Sequence, residues 1–213
     1  MLSKYYTVKG YGEHETVIQK SRFITYLNRA TTEEDAQAFI QEIKKQHRNA
    51  NHNCSAYIIG EHDHIQKAND DGEPSGTAGV PMLEVLKKKG LKDTVVVVTR
   101  YFGGIKLGAG GLIRAYGKGV SEGLLHTGIV ERTLKIVMHI KFDYPHLGKV
   151  ENDLRTSGTY DLLNILYNEK VEILILIELE EQERFVEHIT NLLNGKVDIS
   201  KGEMRYSENI VEI

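Results

Sequence analysis

Two short stretches of this 213-residue chain hold side chains suited to acid–base or nucleophilic chemistry. In Asp70-Asp71-Gly72-Glu73, three carboxylates crowd together, a grouping that can hold a divalent cation or serve as acid and base. The calcium-loop spacing D-x-[DN]-x-[DN]-G is not met, because the acids adjoin and the glycine comes too early. In a turn of this composition Asp70, Asp71 and Glu73 also satisfy the turn itself, leaving Ser75 or Thr77 to cap the next helix. The second stretch is His52-x-Cys54. On a strand, positions i and i+2 share a face, so His52 lies within reach of Cys54 as the base of a nucleophilic pair. The plainer reading is a small buried cysteine on a strand. His62-Asp63-His64 adds an H-x-H, but one cysteine and scattered histidines lack zinc spacing, and no metal or other cofactor is expected.

A third stretch, RYFGGIKLGAGGLIRAYG from Arg100 to Gly117, follows the apolar run Val95-Val-Val-Val98. A phosphate-binding G-x-x-x-x-G-K-[ST] loop fails, since Gly117-Lys118 is followed by Gly119 and Gly111 is one position out of register. A dinucleotide G-x-G-x-x-G fails at Ile113, where the third glycine belongs. What remains is a helix start at Gly108, Gly110 and Gly111 whose free N–H groups can hold an anion. Arg100, Lys106, Arg114 and Lys118 flank it with no acid between them, and Arg114 and Lys118 share a helix face. Tyr101, Phe102 and Tyr116 are candidates for stacking on bases, or equally core residues beside the central strand. The glycines alternatively serve a tight strand-to-helix connection, with solvated bases around it.

The remaining pattern predicts the elements that position these groups. Glu15–Lys20 and Arg22–Ala30 alternate as half-buried strands. Thr32 caps a helix in which Ala36, Phe39, Ile40 and Ile43 form one apolar stripe. Cys54–Gly60 is a strand, the polar segment from Glu61 to Gly76 is irregular, and Thr77–Lys89 is a helix with Pro81 in its first turn. Asp93–Phe102 is apolar on both faces and therefore central in its sheet. A helix runs from about Gly110 to His126 and closes at Gly128. Beyond it the order is strand 129–144, helix 147–158, strand 160–168, strand 171–179, helix 181–195 and strand 196–206. This βαββαβ order is the split-βαβ pattern of a ferredoxin-like domain. The predicted domains are 1–128 and 129–213, in an α+β chain.

With a formal charge of −3, the chain is no generic nucleic-acid coat, although local patches remain open. A lone cysteine, the absence of an apolar leader region and the absence of a run long enough to span a bilayer point to the cytoplasm and away from membranes.

Asn51–Tyr57 (NHNCSAY), Asn69–Pro81 (NDDGEPSGTAGVP) and Val95–Val120 (VVVVTRYFGGIKLGAGGLIRAYGKGV) together resemble the IMPACT/YigZ family. The resemblance implies a ribosomal-protein-S5 domain-2-like amino-terminal domain and a ferredoxin-like second domain. That pairing is similar to the fourth and fifth domains of elongation factor G. It implies a non-enzymatic regulator of translation that binds RNA or the ribosome through the basic glycine-rich surface. Eukaryotic relatives act through a partner of a stress-responsive kinase, but carry a different domain beside the shared one. The alternative is a hydrolase or other small-ligand enzyme using His52, Cys54, Asp70, Asp71 and Glu73. A protein partner on the second domain's sheet is a third reading. No residue is assigned as catalytic. Convergence of His52, Asp70–Glu73, Arg100 and Gly108–Gly111 on one cleft favours the small-ligand reading, whereas a flat basic face favours RNA.

Overall fold

The structure, a computed structural model, describes residues 1–211. The chain is mixed α+β and divides into two compact units. Among the described residues the first comprises Tyr5–Arg132 and Glu208–Val211; the second comprises Met1–Lys4 and Thr133–Ser207.

The first unit begins with β1 (Lys4–Val8), β2 (Gly12–Ile18), β3 (Ser21–Arg29) and α1 (Glu33–Gln46). It continues through β4 (His52–Ile59), β5 (Ile65–Asn69), α2 (Gly79–Lys88), β6 (Thr94–Tyr101) and α3 (Gly108–Thr127). Five strands form an antiparallel sheet in the order β2-β3-β6-β4-β5, with the valine strand in the middle. Its alternation supplies both layers: Val96 and Val98 pack with Met82 of α2 and Tyr116 and Val120 of α3. Val95 and Val97 pack with Ala36, Phe39, Ile40 and Ile43 of α1. Thr32 caps α1 by accepting the Asp35 N–H at 3.1 Å, as its position predicts. The carboxyl end of the described chain returns to this unit: Glu208 accepts from both Arg29 Nη1 (2.7 Å) and Nη2 (3.1 Å), and Val211 packs at the edge of the core.

Two features of α3 explain its glycines. Gly108 opens the helix with φ +68°, in the left-handed region where glycine carries no steric penalty. Farther along, a Cβ on Gly123 would lie 2.8 Å from Thr25 Cγ2, so the glycines let α3 settle directly onto β3.

Two expectations are corrected. The segment Ile65–Asn69, read as irregular, is an edge strand paired with β4 from Ser55↔Asn69 to Ile59↔Ile65. Edge strands need only one partner and bury little, so a polar sequence suffices. The first turn of α2 is capped by neither Ser75 nor Thr77. The N-cap position is Ala78, and the acceptor is Asp70: its Oδ1 takes the N–H groups of Ala78 (3.0 Å) and Gly79 (2.8 Å), and its Oδ2 that of Gly76 (2.8 Å).

The second unit is built from β7 (Ile129–Phe142) after Arg132, α4 (Leu147–Ser157), β8 (Asp161–Tyr167), β9 (Val171–Glu178), α5 (Gln182–Leu192) and β10 (Asp198–Val211) up to Ser207. The five-stranded sheet runs β1-β7-β9-β8, with β10 also pairing β7, and β7-β9 and β9-β8 are antiparallel. Ile140 and Phe142 of β7, Ile173 and Ile175 of β9, Val150 of α4 and Phe185 of α5 share one core. Both helices therefore cover the same face of the sheet. No helix among the described residues is long and apolar enough to cross a membrane.

Candidate functional site: a cleft at the amino end of α3

Three segments distant in sequence meet at one end of the first sheet. Arg100 continues the Val96–Val98 face of β6, and its Cα partners are Phe23 of β3 and His52 of β4. Its guanidinium carbon lies 5.4 Å from the Phe23 ring centroid and 5.6 Å from that of Phe102. The loop between β5 and α2 brings Glu73 onto this face, and Arg100 Nη1 donates to Glu73 Oε1 at 2.6 Å. Both side chains are almost wholly buried, at 6% and 3% accessible. Tyr116 Oη donates to the same carboxylate oxygen at 2.8 Å. The oxygen shared by the two donors ties the loop, β6 and α3 together.

Beside this pair opens a cavity of about 390 Å³, whose lining includes His52, Glu73, Arg100, Lys106, Leu107 and Gly108. Phe102, nearly half exposed, also lines it. Asn51 fixes the end of β6 by accepting the Phe102 N–H at 2.8 Å. The first turn of α3 carries no acid and its N-cap residue, Leu107, makes no side-chain cap, so its N–H groups are left for an anion. His52 is oriented by the hydrogen bond between its Nδ1 and the Asp71 carbonyl at 2.9 Å; since a carbonyl only accepts, Nδ1 carries the proton. Nε2 then stands 3.8 Å from Glu73 Oε2.

The structure thus brings together His52, Glu73, Arg100, Lys106 and Gly108. It leaves out the other candidates for identifiable reasons. Asp70 is spent on α2, and Asp71 accepts from Lys44 Nζ (2.6 Å) and the Asn53 N–H (2.7 Å), so the three acids point to three different sets of donors. Among the described residues no His, Cys, Asp or Glu cluster is placed to hold a metal ion. Tyr116, expected on a base-stacking surface, is fully buried beneath Glu73. Tyr101 is half-buried, with its hydroxyl 2.8 Å from His47 Nδ1. Arg100, expected on a basic surface, is buried in its ion pair. Gly110, Gly111 and Arg114 lie on the first turns of α3 beyond the cleft lining, with Arg114 exposed. Lys118 leans toward Glu122, at 3.5 Å.

Cys54 does not pair with His52. Its thiol lies 3.0 Å from the Asp70 carbonyl and 3.3 Å from Tyr116 Oη. Burial pushes it up to about 12; the neighbouring Glu73, Asp71 and Asp70 charges add to this, against the Tyr116 hydrogen bond. A thiol so protonated is no nucleophile. A disulfide reagent at pH 8 is expected to leave the folded protein unmodified and to react fully once urea unfolds it. Rapid reaction of the native chain would show that the thiol is open.

Fold and site together describe an α+β protein of two units whose first carries a cationic cleft at a helix amino end. Residues 19–124 match the family described as Impact N-terminal domain, and residues 140–196 match a domain of unknown function, DUF1949. The chain is 66% identical over 211 residues to "IMPACT family member YvyE" of Bacillus subtilis (strain 168), covering 99% of this chain and 97% of that protein. It is 39% identical over 203 residues to an IMPACT family member of Haemophilus influenzae, covering 93% and 97%. A crystal structure described as that of a hypothetical protein superposes with a TM-score of 0.61 at 30% identity, covering 95% of this chain and 99% of that one. The chain belongs to the IMPACT family.

Proposed function

We propose that this protein regulates translation by binding RNA, free or within the ribosome, with the cleft at the amino end of α3 as the seat of a backbone phosphate. The observation that carries the reading is the placement of Lys106 on the cleft wall beside the uncapped, acid-free first turn of α3, with Phe102 exposed at the same cleft. Fixed cationic donors hold a phosphate, and an accessible aromatic ring stacks on a base. Arg114, one turn along the helix and exposed, extends the positive surface.

Convergence of His52, Glu73, Arg100 and Gly108 on one cleft, rather than a flat basic face, favours a small-ligand site. The hydrolase form of that reading lacks a nucleophile in the buried Cys54 and cation ligands in Asp70 and Asp71, which serve structural roles. The order β7-β9-β8 with β10 also paired to β7, and both helices on one face, supports a ferredoxin-like second domain. The sheet and helices of the first unit support an S5 domain-2-like assignment by the family likeness. A cytoplasmic location accords with an RNA ligand, and the sheet of the second domain is where a protein partner would be sought.

Binding of a labelled single-stranded RNA, followed by fluorescence anisotropy, is expected to weaken steeply as salt is raised. Lys106→Glu and Arg114→Glu should each weaken it further and lower the slope of log K against log salt by about one. A purified protein that binds neither RNA nor ribosomes at low salt would sink this reading.

A further inference from the structure

Glu73 Oε1 has two donors, from Arg100 and Tyr116, whereas Oε2 accepts no hydrogen bond among the described residues. The side chain is 97% buried by the 3% that remains accessible, and it lines the cleft. Opposite Oε2, 3.8 Å away, stands His52 Nε2, which has no hydrogen-bond partner among the described residues because the bond to the Asp71 carbonyl is made by Nδ1. Oε2 therefore opens on the cleft as an acceptor without a donor, and the gap takes a group that can donate. An anionic oxygen is excluded there by repulsion from Glu73. A hydroxyl fits: with the ring proton on Nδ1 both Nε2 and Oε2 are acceptors, and its one proton is donated to either of them. On the same cleft, Lys106 and the first turn of α3 favour an anion, and Phe102 offers a ring face.

A ligand with a hydroxyl, a neighbouring phosphate and a planar base is a ribonucleotide. We infer that the cleft is built for a ribonucleotide unit, holding its ribose 2′-hydroxyl between His52 Nε2 and Glu73 Oε2 and its phosphate at the amino end of α3. The ion pair with Arg100 offsets the Glu73 charge, so carboxylate and phosphate can share the cleft. The cavity, about 390 Å³, falls in the range of small-ligand sites, roughly 300–1,000 Å³. The 2′-hydroxyl is what distinguishes RNA from DNA. His52 and Glu73 are therefore the residues that set this specificity, which rests on the RNA reading above and goes beyond it.

The test compares one single-stranded sequence as RNA, as DNA and as 2′-O-methyl RNA, in anisotropy titrations of the full chain at low salt. The wild-type protein is expected to bind RNA roughly tenfold or more tighter than the other two, the scale of one hydrogen bond to a charged group. His52→Ala should bring the RNA affinity down to that of DNA. Because the unmodified protein already discriminates between the three oligonucleotides, a poorly folding variant does not decide the matter. Equal wild-type affinity for RNA and DNA overturns this inference and leaves phosphate binding standing, as does an equal loss on both in His52→Ala. Binding to none of them overturns the RNA reading and this inference together. Uridine and 2′-deoxyuridine 3′-monophosphates form a second arm, in which the ribo form is expected to bind tighter alongside the RNA oligonucleotide, and equal affinity for the two likewise overturns the inferred site.

Discussion

Replacing Glu73 with alanine is expected to lower the free energy of unfolding by about 3–5 kcal/mol. The carboxylate is buried and neutralises an almost wholly buried guanidinium at 2.6 Å. Without it Arg100 keeps a charge that it can neither shed nor hydrate, and Tyr116 loses the acceptor of its hydroxyl. With total stabilities of about 5–15 kcal/mol, such a loss is a large fraction of the whole. Urea unfolding monitored by circular dichroism measures it directly. Removing both charges, as Glu73→Leu with Arg100→Met, should recover much of the deficit, because an apolar pair leaves no stranded charge. A Glu73→Ala variant within about 1 kcal/mol of the natural protein would show that Arg100 reaches water or another partner.

The second large effect is expected at Asp70. Three backbone N–H groups converge on its carboxylate, two of them from the buried residues Ala78 and Gly79. Alanine there should cost about 2–4 kcal/mol, the combined scale of a lost cap and stranded buried donors. The effect also depends on pH. Burial alone would raise the Asp70 carboxyl, but the N–H groups of Gly76, Gly79 and Ala78 outweigh it and hold the group below its ordinary value of 3.8. A carboxyl depressed in the folded state contributes stability in full above its unfolded value and loses it as pH falls through the folded one. The stability difference between the natural protein and Asp70→Ala should therefore be constant from about pH 5 to 7 and shrink below about pH 4. A difference that persists unchanged to pH 2 would mean that the carboxylate charge is not what holds α2.

The parts legible in the sequence were those governed by local periodicity. The valine strand showed both its faces, Thr32 and the stripe Ala36-Phe39-Ile40-Ile43 marked α1, and the alternation in β2 and β3 was plain. Burial of Tyr116 was also within reach, since Leu112, Tyr116, Val120 and Leu124 recur every fourth residue as a helix core stripe does. The basic residues around them drew attention to the opposite reading. What could not be read is what depends on distant partners. Asp70 serves an N–H nine positions away, Glu73 chooses Arg100 over a metal, and β5 is a strand only because β4 offers it an edge. For the same reason the three acids, adjacent in the chain, looked like one site and turned out to serve three.

The return of Glu208 to Arg29 sets the timing of the first unit's completion during synthesis. Everything else the cleft requires has left the ribosome once α3 has emerged, at Thr127. The guanidinium of Arg29 must still wait for a carboxylate 179 positions later in the chain. Until then the amino-terminal unit is a folded body with one corner unfinished. The segment that closes it emerges only after Thr133–Ser207, so the first unit is completed after the second has been made.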